Sequence, residues 1–407
     1  MGISQAPLEG IRVSVSGRGG SIVYDVIVVG ARCSGAPTAM LLARHGYRVL
    51  LLDRARFPRD TLSTLYIHVT GAACLARWGL LEAVLATGCP PLTGLSFLAP
   101  GVRIEGPVPV LDGVGMGCAP RRYALDMVLA EAAVQAGAEF RQEVSVTGLH
   151  WEDGVVSGVR CRLPGGGETV ERARLVIGAD GRNSTVARLV GAPFLRYDGR
   201  LTRAWYAYWS GIADERLRLY TGRGAGAATL ATGDGLSVVV VQFPRDGAPV
   251  AGQDRQRAYL DLVARASPEL RQSLSGACQE DRLYCCSDLP NFFRRPCGPG
   301  WALVGDAAHH KDPVGARGIA DALQQAELLA RVLAGVLGDR GRISAALRSY
   351  AAELGRRFTG AYENALQLAR FQMSEQELDW LRRNQSDPAF RAAFLEALAG
   401  VAPPAER

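Results

Sequence analysis

The 407-residue chain is almost without lysine: of its 46 lysine and arginine residues, Lys311 is the only lysine. Basic positions have otherwise gone to arginine, which leaves one compact, titratable ammonium whose place in the chain matters. Long uncharged apolar runs are also missing, and residues 1–21 lack the apolar stretch of a secretory signal. These absences argue against a helical membrane span and lead to the expectation of a cytoplasmic protein. The nine cysteines are odd in number, scattered, and never form a spaced pair of Cys-x-x-Cys units. Neither a disulfide framework nor a zinc site is expected, and no metal is assigned. Adjacent Cys285 and Cys286 read as two small core or surface residues. The net charge of +6 is dispersed through helices and loops, not gathered in a stripe, so nucleic acid is not expected as a partner.

What is present is the composition of a globular α/β protein: 48% hydrophobic, 21% charged, with 48 glycines for tight turns. The length predicts two interlocked domains. Val23–Val29 is an apolar run interrupted only by Tyr24 and Asp25, as expected of a parallel strand buried on both faces. A turn over Gly30–Gly35, a helix over Ala36–His45 and a second buried strand over Tyr47–Leu52 complete a βαβ unit. Helices are expected over Gly71–Leu85 and Leu125–Ala136, and short antiparallel strands from about Leu92 to Val110. Leu175–Ile177 and Trp301–Val304 read as further buried strands. Between Thr202 and Phe243 the pattern changes to strands separated by turns, the mark of a largely antiparallel second domain. Beyond Gly318 the chain reads as mainly helical.

The first chemical signal is Gly30-Ala31-Arg32-Cys33-Ser34-Gly35 between strand and helix, with Asp53 23 positions after Gly30 at the end of the next strand. Gly30 permits the tight turn, Gly35 lets helix and strand approach, and the helix N-terminus attracts a pyrophosphate. The Asp53 carboxylate can accept from ribose hydroxyls. Arg32 stands where the dinucleotide fingerprint normally has its middle glycine. Its side chain must either point away or touch the diphosphate, and contact is favoured because a guanidinium matches a diphosphate in charge and geometry. Cys33 and Ser34 in the turn, and Arg54 and Arg59 after Asp53, are further candidate contacts.

Two more segments, Gly178-Ala179-Asp180-Gly181-Arg182-Asn183-Ser184 and Gly305-Asp306-Ala307-Ala308-His309, make the chain resemble the class A flavoprotein monooxygenases, the p-hydroxybenzoate hydroxylase-fold enzymes. The three motifs stand in that family's order, and the resemblance spans about residues 22 to 345. It implies an FAD cofactor, with Asp306 on the ribityl chain, Asp180 near the diphosphate and Arg122 as a flavin contact. It also matches Asp312-Pro313-Val314-Gly315-Ala316-Arg317-Gly318 to the segment beside the isoalloxazine ring. There, Pro313, Gly315, Ala316, Arg317 and Gly318 would let backbone N–H groups and a helix N-terminus reach the flavin.

The implied architecture is a discontinuous Rossmann-like FAD-binding domain (22–90, 119–195 and 285–345) carrying a largely antiparallel β-sheet substrate domain (91–118 and 196–284). An N-terminal extension (1–21) and a C-terminal helical region (346–407) flank them. The implied reaction is hydroxylation or epoxidation of a small organic metabolite, with NAD(P)H as transient reductant, O2 as co-substrate and a flavin C4a-hydroperoxide as the oxygen carrier. Such a site needs no nucleophile triad, and none is evident.

Lys311, His310 and Pro313 are the candidate catalytic residues, with His309 a neighbouring one. On the aromatic strand 205–209, Trp205, Ala207 and Trp209 share one face and Tyr206 and Tyr208 the other; the first set, with His68, is taken as the substrate side. Two other chemistries share this fold. One is an FAD-dependent reductase or desaturase resembling geranylgeranyl reductase. The other is a flavin-dependent halogenase, for which the Trp-x-Trp-x-Ile-Pro signature of the tryptophan type is absent. Escort proteins of prenylated GTPases, which act by binding alone, have related folds but no need of a complete flavin site. Neither substrate nor oligomeric state is legible in the sequence.

Overall fold

A computed structural model describes residues 23–212, 214–247 and 254–401. The expected N-terminal extension, 1–21, lies outside the described residues. The first strand, Val23–Val29, forms the centre of a parallel sheet. Its neighbours are Val49–Leu52 on one side and Glu168–Gly178 on the other, with Glu139–Arg141 and Trp301–Leu303 beyond them. Val26, Ile27 and Val28 are fully buried, which is why the run is apolar without alternation. Asp25, the break in that run, accepts the Arg48 N–H at 2.9 Å where the strand begins. Helix Gly35–Arg44 packs on this sheet, and helices Arg122–Gln135 and Gly318–Leu333 pack against that helix.

The expected helix over Gly71–Leu85 is two helices, Val69–Arg77 and Leu81–Leu85. Gly79 separates them at φ +77°, the left-handed conformation that ends a helix. Gly71 keeps the first of these close to Gly318–Leu333, because a Cβ there would lie 2.9 Å from the Ala320 backbone.

The second sheet runs in the order Cys278–Gln279, Thr202–Ser210, Ser237–Pro244, Ala225–Ala231, Arg216–Gly222, Gly94–Ala99 and Val102–Pro107. Every pairing is antiparallel except that of Arg216–Gly222 with Gly94–Ala99. One face carries helix Arg255–Ala266 over a second hydrophobic cluster that includes Trp205, Trp209, Phe243 and Tyr259. Phe194–Arg200 lies outside this sheet; it pairs with Pro290–Arg294 and, through it, with His309–His310. That three-stranded piece joins the two large sheets.

The C-terminal region caps both. Helix Arg340–Leu368 buries Tyr350, Leu354, Phe358 and Tyr362, and Tyr350 donates to the Leu303 carbonyl at 2.9 Å. Pro388–Ala399 then covers the outer strand Val102–Pro107, where a Cβ on Gly106 would meet Leu395. Arg382 and Gln385 bind Pro100 and Arg103 beside it. No helix among the described residues is long and apolar enough to cross a membrane.

Candidate active site

Three turns meet at the ends of three adjacent parallel strands, and glycine allows the meeting. Gly30, at φ +101°, would place a Cβ 2.5 Å from the Ala179 carbonyl oxygen. Gly305, at φ +64°, would place one 2.7 Å from the Ser34 side chain. A Cβ on Gly35 would overlap the Gly30 carbonyl. The Ala179 N–H donates to Val29 and the Val304 N–H to Gly178, at 2.8 and 2.9 Å, so the turns are hydrogen-bonded to one another's strands. Between them lies a cavity of about 880 Å³.

On its first wall stand Gly30, Arg32, Cys33, Ser34, Asp53 and Arg54. Asp53 is buried and accepts the Ala31 and Ala55 N–H groups, one on each oxygen and both at 2.8 Å, which fixes the glycine turn. Arg32 is held by Asp126 at 2.5 Å and lies over the Phe57 ring, 5.4 Å from its centroid. Asp126 is fully buried and also takes Arg122 at 3.0 Å. One carboxylate thus fixes two guanidinia on the cavity wall, with the Asp306 charge also acting on Arg122. Burial pushes the Cys33 thiol up to about 12, so it stays protonated and is no nucleophile at neutral pH. Arg59 is exposed at the rim, and neither it nor Arg54 has a carboxylate partner among the described residues.

Asp180 faces the cavity and also caps helix Thr185–Leu189, accepting the Ser184 hydroxyl at 2.5 Å and the Thr185 N–H at 2.6 Å. Burial raises its pKa, against the pull of those hydrogen bonds. Asp306 lies on the same wall.

The third wall is the segment 309–318. Lys311 is buried and ion-paired with Asp321 on the first turn of helix Gly318–Leu333. Pro313, Ala316 and Gly318 line the cavity; Gly315 and Arg317 do not. The Gly315 carbonyl accepts from His68 Nε2 at 2.8 Å, and Arg317 turns its guanidinium to Gly400 at the end of the last helix. His68 is therefore a support beneath the loop and not part of the cavity wall. Burial lowers its pKa to about 3, so it is neutral. His310 lines the cavity, with Nδ1 on the Pro290 carbonyl and its ring stacked on Phe292. His309 stacks on Phe293 and takes Gln325 Nε2 on Nδ1 at 3.3 Å. Burial holds both imidazoles below their usual pKa.

The aromatic strand has the opposite parity to that expected. Trp205, Ala207 and Trp209 point into the second hydrophobic cluster, Trp205 edge-on to Phe243 and Trp209 stacked on Tyr259. Ala204 and Tyr206 face the cavity, Tyr206 stacked on Tyr284 at 5.0 Å. Both faces of this strand are buried, and the larger indoles went to the side closed by helix Arg255–Ala266. Sequence reasoning also missed Asp126, Asp321, Gln325 and Thr202. For Asp126 a signal existed, since Arg122 and Asp126 are four residues apart on a helix.

Whether these residues suit an FAD is decided by the cradle. Side chains at Gly30, Gly35 or Gly305 would force its turns apart, guanidinia stand on the wall beside a helix N-terminus, and Asp53 and Asp306 add carboxylates to the lining. The donor set fits a dinucleotide with an extended diphosphate. Comparison with known proteins agrees: residues 23–219 match the FAD binding domain family. The 6-methylpretetramide 4-monooxygenase of Streptomyces rimosus is 29% identical over 74% of this chain and 73% of its own. Rifampicin monooxygenase of Streptomyces venezuelae is 29% identical over 75% of this chain, which spans 62% of that relative's length. A digeranylgeranylglycerophospholipid reductase of Methanosarcina mazei is 28% identical over 75% of this chain and 74% of its own. Among solved structures, the flavin-dependent brominase Bmp2 superposes with a TM-score of 0.77 at 20% identity, over 93% of this chain and 94% of that one. That likeness is one of fold.

Proposed function

Because the chain belongs to the class A flavoprotein monooxygenases and is an FAD-dependent oxidoreductase, we propose that it consumes NAD(P)H to place one oxygen atom of O2 on a small organic metabolite, by hydroxylation or epoxidation. The balance is NAD(P)H, a proton, O2 and substrate in, and NAD(P)+, water and oxygenated product out. The observation that carries the reading is the continuity of one cavity from the three-turn cradle to the Tyr206 face of the second sheet.

Bound FAD supplies the two-electron reduction and the activation of dioxygen. The chain supplies the rest. Arg32 and Arg122, fixed by Asp126, and the N-terminus of helix Gly35–Arg44 would hold the diphosphate; Asp53 would hold the ribose and Asp306 the ribityl chain. The N-terminus of helix Gly318–Leu333, with Gly318 and Ile319 on the cavity wall, would face the flavin ring and favour its anionic reduced form. Ala204, Tyr206 and Leu289 offer an apolar and aromatic wall for a substrate. For the reductant, a neighbouring cleft of about 420 Å³ is lined by Arg54, Arg56 and Arg59, which suits a phosphate-bearing nucleotide.

The test uses the FAD-loaded protein: find a compound that accelerates NAD(P)H oxidation, then weigh the product formed under isotopically labelled dioxygen. A mass gain of one labelled oxygen supports the proposal. Anaerobic reduction of the compound would make the chain a reductase, and halide-dependent substitution would make it a halogenase; either outcome overturns it.

A further inference from the structure

Asp312 belongs to the cavity wall yet is only 1% exposed. Its two carboxyl oxygens stand almost equally far from one hydroxyl, Thr202 Oγ1 lying 2.8 Å from Oδ1 and 2.7 Å from Oδ2. A hydroxyl has one proton to donate, so an ionised carboxylate could be well satisfied at only one of these contacts. A neutral carboxylic acid can use both: one oxygen donates its proton to Oγ1 and the other accepts the threonine proton.

Burial favours the neutral form, and no cation among the described residues is paired with the carboxyl. Lys311, the adjacent cation, is turned to Asp321. The groups acting on the carboxyl are the Thr202 hydroxyl, the Val314 N–H and the Asn291 side chain, from the aromatic strand, the loop itself and strand Pro290–Arg294, and none carries charge. His310, two residues away, is engaged by the Pro290 carbonyl. The Asp312 N–H meanwhile donates to Asn291 Oδ1 at 2.7 Å, and Asn291 Nδ2 donates to the Gly199 carbonyl at 3.3 Å. Asp312 therefore ties together the aromatic strand, the three-stranded piece and the loop that precedes helix Gly318–Leu333.

We propose that Asp312 is a positioning residue kept as a neutral carboxylic acid, and that its reciprocal clasp with Thr202 fixes loop 313–318 against the substrate sheet. Ionisation leaves Thr202 one proton for two acceptor oxygens, removes the donor to its Oγ1 and puts an uncompensated charge in the wall, so the clasp loosens as pH rises. Burial, which raises the Asp312 pKa to about 7, sets the range in which this happens.

The experiment is an infrared titration of the FAD-loaded protein between pH 6 and 9, following the carbonyl band of a protonated carboxyl. The wild type should show the band at pH 6 and lose it on the alkaline side; D312N, whose amide can make the same reciprocal contact with Thr202, should lack it throughout. In T202V the band should be lost at lower pH than in the wild type, because the clasp that holds the neutral acid is gone; a band that persists to higher pH overturns the clasp. FAD affinity should fall on the order of tenfold across the range in wild type, stay within about twofold in D312N, and be weak at every pH in T202V. A band that D312N leaves in place, or an affinity profile that D312N does not flatten, overturns the proposal. Because neither readout requires turnover, its failure is distinct from failure of the proposed reaction.

Discussion

Replacing Lys311 by methionine removes the cation of a buried ion pair and leaves Asp321 behind. The side chains of the two are 5% and 6% exposed, so water cannot take over as the partner. A carboxylate stranded in this way costs about 3–5 kcal/mol. Asp321→Asn should cost a similar amount from the other side, reduced if the lysine deprotonates. The double variant K311M/D321L removes both charges at similar volume, and should recover to within about 1 kcal/mol of the wild type or exceed it. The cycle therefore predicts a coupling of several kcal/mol, where an exposed pair gives about 0.2–1 kcal/mol. Denaturant unfolding at fixed FAD, followed by fluorescence and circular dichroism with coincident transitions, measures it. Single variants that each cost under about 1 kcal/mol, or a double variant as unstable as their sum, would refute the reasoning. Lys311→Arg separates stability from chemistry. A guanidinium overfills a site shaped for an ammonium, at about 1–3 kcal/mol. If turnover and coupling of NAD(P)H oxidation to product stay unchanged in that variant, the lysine has a structural role alone.

Other perturbations read the remaining walls. Gly305→Ala forces a side chain into the left-handed region and against Ser34, which should cost about 2–3 kcal/mol and weaken FAD binding at least tenfold by flavin fluorescence. Trp205→Ala should destabilise by about 3–5 kcal/mol with FAD affinity kept, whereas Tyr206→Phe should leave stability nearly unchanged and move the substrate KM. His68 has a native pKa of about 3 against 6.5 in the unfolded chain, so the unfolded state binds the extra proton between those values. Stability is thus full above pH 6.5 and is lost as pH falls toward 3, by up to roughly 5 kcal/mol at about 1.4 kcal/mol per pH unit. His68→Gln, which keeps a donor for the Gly315 carbonyl, should flatten that acid limb in urea-midpoint measurements across the same range.

The parts of this protein legible in sequence are those whose signal is local. Val23–Val29 announces itself because both its faces are buried, and Gly30, Gly178 and Gly305 of the three turns because a Cβ at any of them would meet another chain segment. Strand Glu168–Gly178 was visible only over its last residues, since its first half alternates exposed and half-buried and reads as polar. Arg32 finds its acid 94 positions away, a distance over which no periodicity speaks. On the aromatic strand, alternation separates two faces correctly but cannot say which meets the cavity when both are buried. That choice was made by helix Arg255–Ala266, an element remote in sequence.

The segment 311–318 shows why such remote partners accumulate at one place. It is gripped from three directions: Lys311 by Asp321, Asp312 by Thr202 and Asn291, and the Gly315 carbonyl by His68. Directly after those grips Ala316 sits at φ +51°, a left-handed conformation that costs an alanine about 1–2 kcal/mol. The grips maintain it, and with it the backbone orientation that Pro313, Ala316 and Gly318 present to the cavity. Ala316→Gly tests this directly. Relief of the strain and the added chain entropy of glycine, about 0.5–1 kcal/mol, largely cancel, so the unfolding free energy should change by under about 1 kcal/mol. FAD affinity should nevertheless fall severalfold, because the loop would sample other conformations at no cost. A glycine variant that binds FAD as tightly as the wild type would mean that the three contacts already define the loop and that the residue at position 316 adds nothing to its preorganisation.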